Sequence, residues 1–165
     1  MELSPLDAAA AYTVFANNGV KASPDPIWAV YDNENKVKTP KAAPVRAVDA
    51  RSALTVTRML NGVIGDGPDG QYGTAKAARN LSGLQATVAL AGKTGTGDHD
   101  LWFVGFTPRI VVAVWVGFDN NFPSFELSKG FAGSGLPLSI WARFMKEVKR
   151  HRPDLLKGNF DPGRD

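Results

Sequence analysis

The sequence predicts an α/β (α+β) sandwich in which an antiparallel sheet of at least three strands is flanked by helices. Three strand-like apolar runs between residues 86 and 118 predict the sheet, because the short connections GDHD and TPR make the runs antiparallel neighbours. Two capped helices precede these runs and one amphipathic helix follows them, so helices are available to cover the sheet.

The composition is typical of a globular domain with one core, since 44% of the 165 residues are hydrophobic and 21% are charged. The absence of cysteine excludes disulfides and cysteine-rich zinc sites. The longest apolar run, Ile110–Phe118, is far shorter than the roughly 20 residues of a membrane-spanning helix. The N-terminal residues lack the basic start and apolar core of a signal peptide. We therefore expect no membrane segment in this chain.

The net charge of +3 comes largely from basic residues near the C-terminus: Lys146, Lys149, Arg150, Arg152 and Lys157. A nucleic-acid site would combine such a cluster with stacking aromatics or a known module, and the sequence shows neither. The cluster is typical of a solvated helix face, and no nucleic-acid partner is expected.

The first helix is predicted from SPLD, in which Ser4 is the N-cap, Pro5 takes the first helical position and Asp7 reaches back to the cap. It should end at Asn18-Gly19, where glycine suits a left-handed turn. A helix that begins so near the first residue suggests that the chain was cut from a longer one.

A hairpin is predicted next, with a strand over Ile27–Tyr31, a polar turn over Asp32–Asn35 and a return strand. A loop with Pro40 and Pro44 should follow. The second helix should then be capped by Asp49 and end near Gly62, with an apolar face formed by Leu54, Met59 and Leu60 and flanked by Val56.

A turn-rich link over residues 65–73 and a short helix starting at Thr74 lead to the three strand-like runs TVALAGKTGT, LWFVGF and IVVAVWVGF. The third run is apolar on both faces, which predicts a strand inside a sheet with helices on each side. Three strands are few for so apolar a central strand, so we expect further strands from outside this chain.

Ser139 is predicted to cap the last helix, whose apolar stripe comprises Ile140, Trp141, Phe144, Met145 and Val148. The tail, 151–165, reads as irregular. We therefore expect helices and a hairpin over 1–85, and the sheet and last helix over 86–150.

Lys93 and Thr94 after Gly92 imitate the end of a P-loop, which would bind phosphate. That motif needs glycine where this chain has Thr87, and it needs a helix to follow, whereas a turn and a strand follow here. The P-loop interpretation therefore fails.

Two weaker motifs are better explained as turns. GDGPDG over residues 65–70 matches G-x-G-x-x-G, but a helix precedes it where a dinucleotide site requires a strand. Asp98, His99 and Asp100 lack the further partners that a metal site needs. No cofactor or metal is expected.

As part of a strand, Lys93 and Gly95 face one way and Thr94 and Thr96 the other, although local twist at the glycines could bring the lysine and a threonine near one ligand. One ammonium and two hydroxyls can hold a carboxylate. Gly95 leaves room for a ligand backbone, and an edge strand can pair with a peptide laid alongside. A peptide with a free C-terminal carboxylate fits all of these features.

The runs AGKTGT, LWFVGFTP and VAVWVGFDN resemble the transpeptidase domain of class A (bifunctional) penicillin-binding proteins. K-T-G is the third active-site motif of that superfamily. It is weak alone, but SPLDAAAAYTVFANNG and TRMLNGVIGDGPDGQYGTAKAARN precede it in family order, over residues 2 to 150. The resemblance implies that 1–150 is the C-terminal portion of a transpeptidase domain with an incomplete serine β-lactamase/transpeptidase-like fold.

The resemblance also implies roles for four residues. Lys93 would complete the hydrogen-bond network of the catalytic cleft, and Thr94, Gly95 and Thr96 would belong to the binding strand. The threonines would bind the carboxylate of a peptidoglycan stem peptide or of a β-lactam. The amide of Thr96 would supply half of the oxyanion hole.

The family's nucleophilic serine is missing from this sequence. No serine is followed by lysine at the third position, and no S-x-N motif is present. In the family both motifs lie upstream of the segment that resembles SPLDAAAAY, as do the glycosyltransferase domain and membrane anchor. We therefore expect the chain to be inactive alone, its parent to be extracytoplasmic in a bacterium, and its partners to include the missing N-terminal part.

The sequence allows two other interpretations. A standalone, non-catalytic module that binds peptidoglycan or a partner should protect its sheet edge with charge or proline, and Ile110–Phe118 shows neither. A β-lactamase would need the same absent serine. An open edge also predicts self-association.

Overall fold

The structure is a computed structural model that describes residues 3–25, 27, 29–33, 35–37, 43–66, 72–118 and 132–161. Its elements in chain order are α1 (Pro5–Ala16), β1 (Val20–Lys21), β2 (Val30–Asp32), β3 (Asn35–Val37), β4 (Val45–Arg46), α2 (Ala50–Val63), α3 (Ala78–Ser82), β5 (Ala91–Thr96), β6 (Asp100–Phe106), β7 (Val111–Gly117), α4 (Leu136–His151) and a 3₁₀ helix (Pro153–Leu156).

The main sheet has the strand order β5-β6-β7, and both pairings are antiparallel. Helix α4 packs on one face, while α1 and α2 pack on the other. The predicted antiparallel sheet flanked by helices is confirmed. The third apolar run, β7, has helices on both faces as predicted, but it is an edge of the described sheet and β6 is the central strand.

The α4 face of the sheet is held by Trp141. Its ring packs edge-on against Phe103 with centroids 5.2 Å apart, and its indole N–H donates to the carbonyl of Gly105 at 3.2 Å. A methyl group on Gly105 would lie 2.6 Å from the Trp141 ring. Glycine at this position therefore allows the indole to lie flat on the strand.

The opposite face is closed by aromatic contacts around Phe106, which is fully buried. Tyr12 of α1 and Phe160 of the C-terminal tail both meet this ring edge-on, with centroids 6.1 Å and 5.5 Å away. The buried hydroxyl of Thr57 in α2 lies 3.1 Å from the carbonyl of Phe15 and ties α2 to α1.

Helix α1 starts and stops as predicted. The Ser4 hydroxyl accepts from the Asp7 N–H at 3.1 Å, and Asn18 and Gly19 have positive φ values of 49° and 89°. A methyl on Gly19 would lie 2.2 Å from the Val48 carbonyl, because the two short strands β1 and β4 pair here. Sequence analysis did not predict that ladder.

The predicted hairpin is confirmed as β2 and β3, but it is shorter than expected. The first strand begins at Val30 rather than Ile27. Asp32 pairs with Asn35, which leaves a tighter turn with Asn33 at φ 44°. Pro40 lies outside the described residues.

Helix α2 is capped by Asp49 as predicted, since its side chain accepts from the Ser52 N–H at 2.9 Å. The predicted apolar face is partly wrong. Met59 is 71% exposed, whereas the buried positions are Ala53, Thr57 and Leu60. A small residue and a threonine occupy the face that the apolar pattern assigned to larger side chains.

Two predicted helix starts are displaced. Helix α3 begins at Ala78 rather than Thr74, because residues 74–77 form turns. Helix α4 begins at Leu136, so Ser139 lies within its first turns and donates to the Gly135 carbonyl at 3.0 Å instead of capping. Ile140 and Phe144, which belong to the predicted apolar stripe, are 42% and 48% exposed.

The tail after α4 is more ordered than predicted. It contains the 3₁₀ helix and places Phe160 in the core. The buried Thr107 hydroxyl donates to the Leu155 carbonyl at 2.7 Å and accepts from the Ile110 N–H, so the tail is fastened to the β6–β7 turn. Residues 162–165 lie outside the described part.

Candidate active site

Lys93, Thr94, Gly95 and Thr96 form the exposed end of β5. Helix α2 covers the start of this strand, where Ala91 is fully buried and packs in the cluster that contains Leu60. Beyond Gly92 the strand emerges from this cover, and Lys93 and Thr96 are exposed. The four candidate residues therefore lie together at an accessible end of a strand.

The β5–β6 ladder fixes which backbone groups of β5 are free. Gly97 N–H donates to the Asp100 carbonyl at 2.8 Å, so the pairs Gly95–Trp102 and Lys93–Val104 are the hydrogen-bonded ones. The N–H and C=O groups of Thr94 and Thr96 consequently point away from β6. Because β5 is an edge of the described sheet, these groups face outward.

Lys93 reaches this free edge. Its ammonium donates to the outward carbonyl of Thr94 at 2.7 Å. Lys93 lies on the same face as Gly95, Trp102 and Val104, the face toward α1 and α2. The cation therefore stands beside the outward N–H groups, where a carboxylate would be attracted by both.

The two threonine hydroxyls lie on the other face of β5 and have partners of their own. Thr94 Oγ1 is 2.8 Å from Thr74 Oγ1, and Thr96 Oγ1 accepts from the Gly133 N–H at 3.1 Å. The structure does not bring either hydroxyl to Lys93. The Thr96 O–H still has its proton to donate to a ligand.

Thr74 and Gly133, the hydrogen-bond partners of the two threonine hydroxyls, are site residues that sequence analysis missed. Gly133 lies so close to the sheet that a methyl there would be 2.4 Å from the Gly95 carbonyl and 2.3 Å from the Trp102 carbonyl. No local pattern marks either residue, because they stand 20 and 37 positions from their threonine partners.

The turn between β5 and β6 carries Asp98 and His99, and Asp100 is the first residue of β6. No group of three or more potential metal ligands occurs among the described residues, and Asp98, His99 and Asp100 accordingly form none. GDGPDG falls mostly on residues 67–70, outside the described part. Among the helices of the described residues, none has the length and hydropathy of a membrane span.

The surroundings of Tyr12 and Asp49 shift the pKa values of these two side chains. Burial raises the pKa of the Tyr12 phenol, and hydrogen bonds from Ser52 lower the pKa of the Asp49 carboxyl. The basic cluster near the C-terminus is partly engaged within the protein: Lys149 donates to the Gly83 carbonyl at 2.6 Å, and Arg152 pairs with Asp154.

Comparison with known proteins shows the family of this chain. The family described as the penicillin-binding protein transpeptidase domain matches residues 1–128. This chain belongs to the penicillin-binding protein transpeptidase domain family. The resemblance read from the sequence is confirmed, and the chain is a portion of a penicillin-binding transpeptidase domain.

Two curated relatives are named penicillin-binding protein 1A. The protein from Aquifex aeolicus is 38% identical over 157 residues, which is 93% of this chain and 20% of the relative. The protein from Neisseria lactamica is 33% identical over 160 residues, 92% of this chain and 18% of the relative. The chain thus spans about a fifth of the length of these relatives.

Two solved structures share the fold. Penicillin-binding protein 1A from Haemophilus influenzae matches with a TM-score of 0.75 at 23% identity, covering 92% of this chain and 27% of that one. Penicillin-binding protein 3 from Mycobacterium tuberculosis matches with a TM-score of 0.65 at 26% identity, covering 94% and 36%. Both matches confirm the predicted transpeptidase-like fold.

Proposed function

We propose that this chain supplies the substrate-binding strand of a serine-type D,D-transpeptidase that cross-links peptidoglycan. The observation that carries this proposal is the free edge of β5, where the outward N–H groups of Thr94 and Thr96 stand beside the Lys93 ammonium. The ligand would be a stem peptide ending in D-Ala-D-Ala or the β-lactam that resembles it.

Each residue of the strand has a proposed part. Lys93 would bind the ligand carboxylate from one face of β5 and the Thr96 hydroxyl from the other, and the Thr94 hydroxyl would join them when its bond to Thr74 is released. The Thr96 N–H would stabilise the developing oxyanion. Gly95 would let the ligand approach, since it presents no side chain on the Lys93 face.

The acyl-transfer reaction would need a serine that this sequence does not contain in an S-x-x-K motif. That serine would attack the penultimate D-Ala carbonyl, D-Ala would leave, and an amine of a neighbouring stem would take the acyl group. Because removal of a nucleophile leaves little catalysis, the 165 residues alone should not become acylated. Intact-mass analysis after incubation with benzylpenicillin checks this: an unmodified mass is expected, and a stoichiometric adduct would contradict it.

Ligand binding by β5 is tested separately by NMR. An acetylated peptide ending in D-Ala-D-Ala should shift the backbone amide resonances of Thr94 and Thr96. The peptide concentration required should be millimolar if the cleft is incomplete. The amides of β1 and β4, a separate two-stranded sheet, serve as the internal reference. Perturbation spread equally over both sheets, or absent from β5, would count against the proposal.

The other edge of the sheet is the proposed docking site for the rest of the parent domain. Thr107 N–H and Phe118 N–H donate to Ile110 and His99, so the backbone groups of Val111, Ala113, Trp115 and Gly117 point away from β6. Among the described residues no strand pairs with this edge. An added strand, from the parent or from a second copy, would satisfy these groups.

An exposed apolar stripe on α4 would cover such a strand. The stripe comprises Leu136, Ile140 and Phe144, which are 47%, 42% and 48% exposed at four-residue spacing. Ile140 and Lys149 are two and a half turns apart and therefore lie on opposite sides of α4. Lys149 contacts Gly83, which follows α3. The stripe therefore faces away from α3.

We further infer an extracytoplasmic location, where peptidoglycan is cross-linked, with anchoring by the remainder of the parent.

A further inference from the structure

The Lys93 face of β5 carries an indole ring directly beside the glycine of the candidate site. A methyl group placed on Gly95 would lie 3.0 Å from Cβ of Trp102, 3.6 Å from its Cγ and 3.7 Å from its Cδ1. The Trp102 side chain therefore borders the space that a side chain at position 95 would occupy.

The Trp102 ring lies beside the Trp115 ring, and the surface formed by these two rings is called the aromatic floor. Trp102 and Trp115 are directly opposite each other on β6 and β7, with ring centroids 6.4 Å apart and planes tilted by 51°. Both are partly exposed, whereas Phe106 at the other end of the same face is fully buried. Within the described part of the chain, the floor next to Lys93 is thus apolar, and this face is more exposed at the end formed by Trp102 and Trp115.

A peptide paired with the free edge of β5 would meet this floor. Since the groups of Thr94 and Thr96 point outward, the ligand residue opposite Gly95 falls in a non-hydrogen-bonded pair, with Cα atoms about 4.5 Å apart. Its side chain would share the face of Gly95. With no side chain at position 95, the first protein group that it reaches across the strand is the Trp102 indole.

We propose that Trp102 is a specificity-determining residue that receives an apolar, ring-bearing substituent of the bound ligand through the gap at Gly95. The substituent would pack on the indole while the ligand carboxylate stays with Lys93. A cationic substituent is disfavoured because the Lys93 ammonium stands on the same face. This inference rests on the proposed function, since it needs a ligand on β5.

The test compares two β-lactams that share a carboxylate: benzylpenicillin, with a phenylacetyl group, and 6-aminopenicillanic acid, without one. In NMR titrations of the 165-residue chain, both should shift the amides of Thr94 and Thr96. Only benzylpenicillin should shift the Trp102 indole N–H, and it should bind about three- to tenfold tighter. The Trp141 indole, buried and bonded to Gly105, is the internal reference and should not move.

Variants separate a direct contact from a structural effect. Trp102→Ala should abolish the advantage of benzylpenicillin and leave the affinity for 6-aminopenicillanic acid unchanged, and Trp102→Phe should keep part of it. The wild-type indole shift needs no variant, so misfolding of Trp102→Ala does not remove the test. If both lactams shift β5 equally and Trp102 stays still, the inference is wrong and the proposed function stands. If neither lactam shifts β5, both fail.

Discussion

At the residue scale, packing makes Gly105 far less replaceable than Gly62. A methyl on Gly105 would meet the fully buried Trp141 ring at 2.6 Å, and that ring cannot move without losing its contact with Phe103. Gly105→Ala should therefore lower the free energy of unfolding by about 1–3 kcal/mol.

Gly62 is the matched control, because a methyl there would have no described residue within 4 Å and Gly62 lies in α2 without a positive φ. Gly62→Ala should raise the free energy of unfolding by about 0.4–1 kcal/mol. Urea denaturation of both variants measures the two values. Equal effects of the two substitutions would show that the Trp141 contact does not constrain position 105.

The sequence predicts which face each residue of Lys93–Thr96 takes, because strand alternation is a local rule. It does not predict that Thr74 and Gly133 hold the threonine hydroxyls, since those contacts join residues far apart in the chain. The sequence gives only a weak indication of the contact between Trp102 and Gly95, because a tight hairpin places the two residues opposite each other on one face.

At the element scale, the Asp49 cap makes the stability of α2 depend on pH. Hydrogen bonds from the side chain and backbone of Ser52 hold the pKa of Asp49 below its ordinary value. A carboxyl with a lowered folded pKa stabilises the fold above its unfolded pKa of about 3.9, and this contribution is lost as pH falls through the folded value.

Asp49→Ala should therefore lower the Tm most above about pH 5, and its deficit should shrink as the pH falls below 4. Asp49→Asn caps without a titrating group, so its advantage over Asp49→Ala should persist at every pH. Thermal melts by circular dichroism between pH 3 and 7 measure both. A deficit of Asp49→Ala that does not change with pH would contradict the charged cap.

The caps of α1 and α2 could be predicted because a cap is a contact between residues three apart. The starts of α3 and α4 could not, since neither N-cap makes a side-chain hydrogen bond. The exposure of Met59, Ile140 and Phe144 was also missed, because an apolar pattern does not say which apolar positions a neighbouring element covers.

At the scale of the whole molecule, the C-terminal tail contributes to the core through Phe160. This side chain is 7% exposed and meets the Phe106 ring edge-on. Phe160→Ala should cost about 3–5 kcal/mol of unfolding free energy, as is typical of a buried phenylalanine. Met59→Ala, at a 71% exposed position of α2, should change it by less than about 0.5 kcal/mol. A small effect of Phe160→Ala on the free energy of unfolding, measured by urea denaturation, would mean that the tail does not pack against Phe106.

The open edge of β7 predicts association between copies when the rest of a transpeptidase domain is absent. The N–H of Ala113 points away from β6, so Ala113→Pro removes an outward donor and keeps the β6–β7 ladder. Sedimentation should show concentration-dependent dimers for the wild type and for Ala113→Ser, and monomers for Ala113→Pro. Monomers of all three at high concentration would contradict self-association.

The sheet with helices on both faces could be predicted from three apolar runs and short connections. That β7 would be an edge could not, because a run that is apolar on both faces resembles a central strand whether or not its neighbours belong to the chain. The docked tail was missed because one phenylalanine among polar residues gives no periodic signal.

The proposed role of β5 is tested most directly by a matched pair of ligands, acetylated D-Ala-D-Ala with a free carboxylate and the same peptide with a carboxamide. In NMR titrations of the chain, the carboxylate should bind β5 at least several-fold more tightly than the carboxamide, and Lys93→Met should remove that difference. Equal binding of the two ligands to the wild type, or a preference that survives Lys93→Met, would contradict the assignment of Lys93–Thr96 as the carboxylate-binding strand.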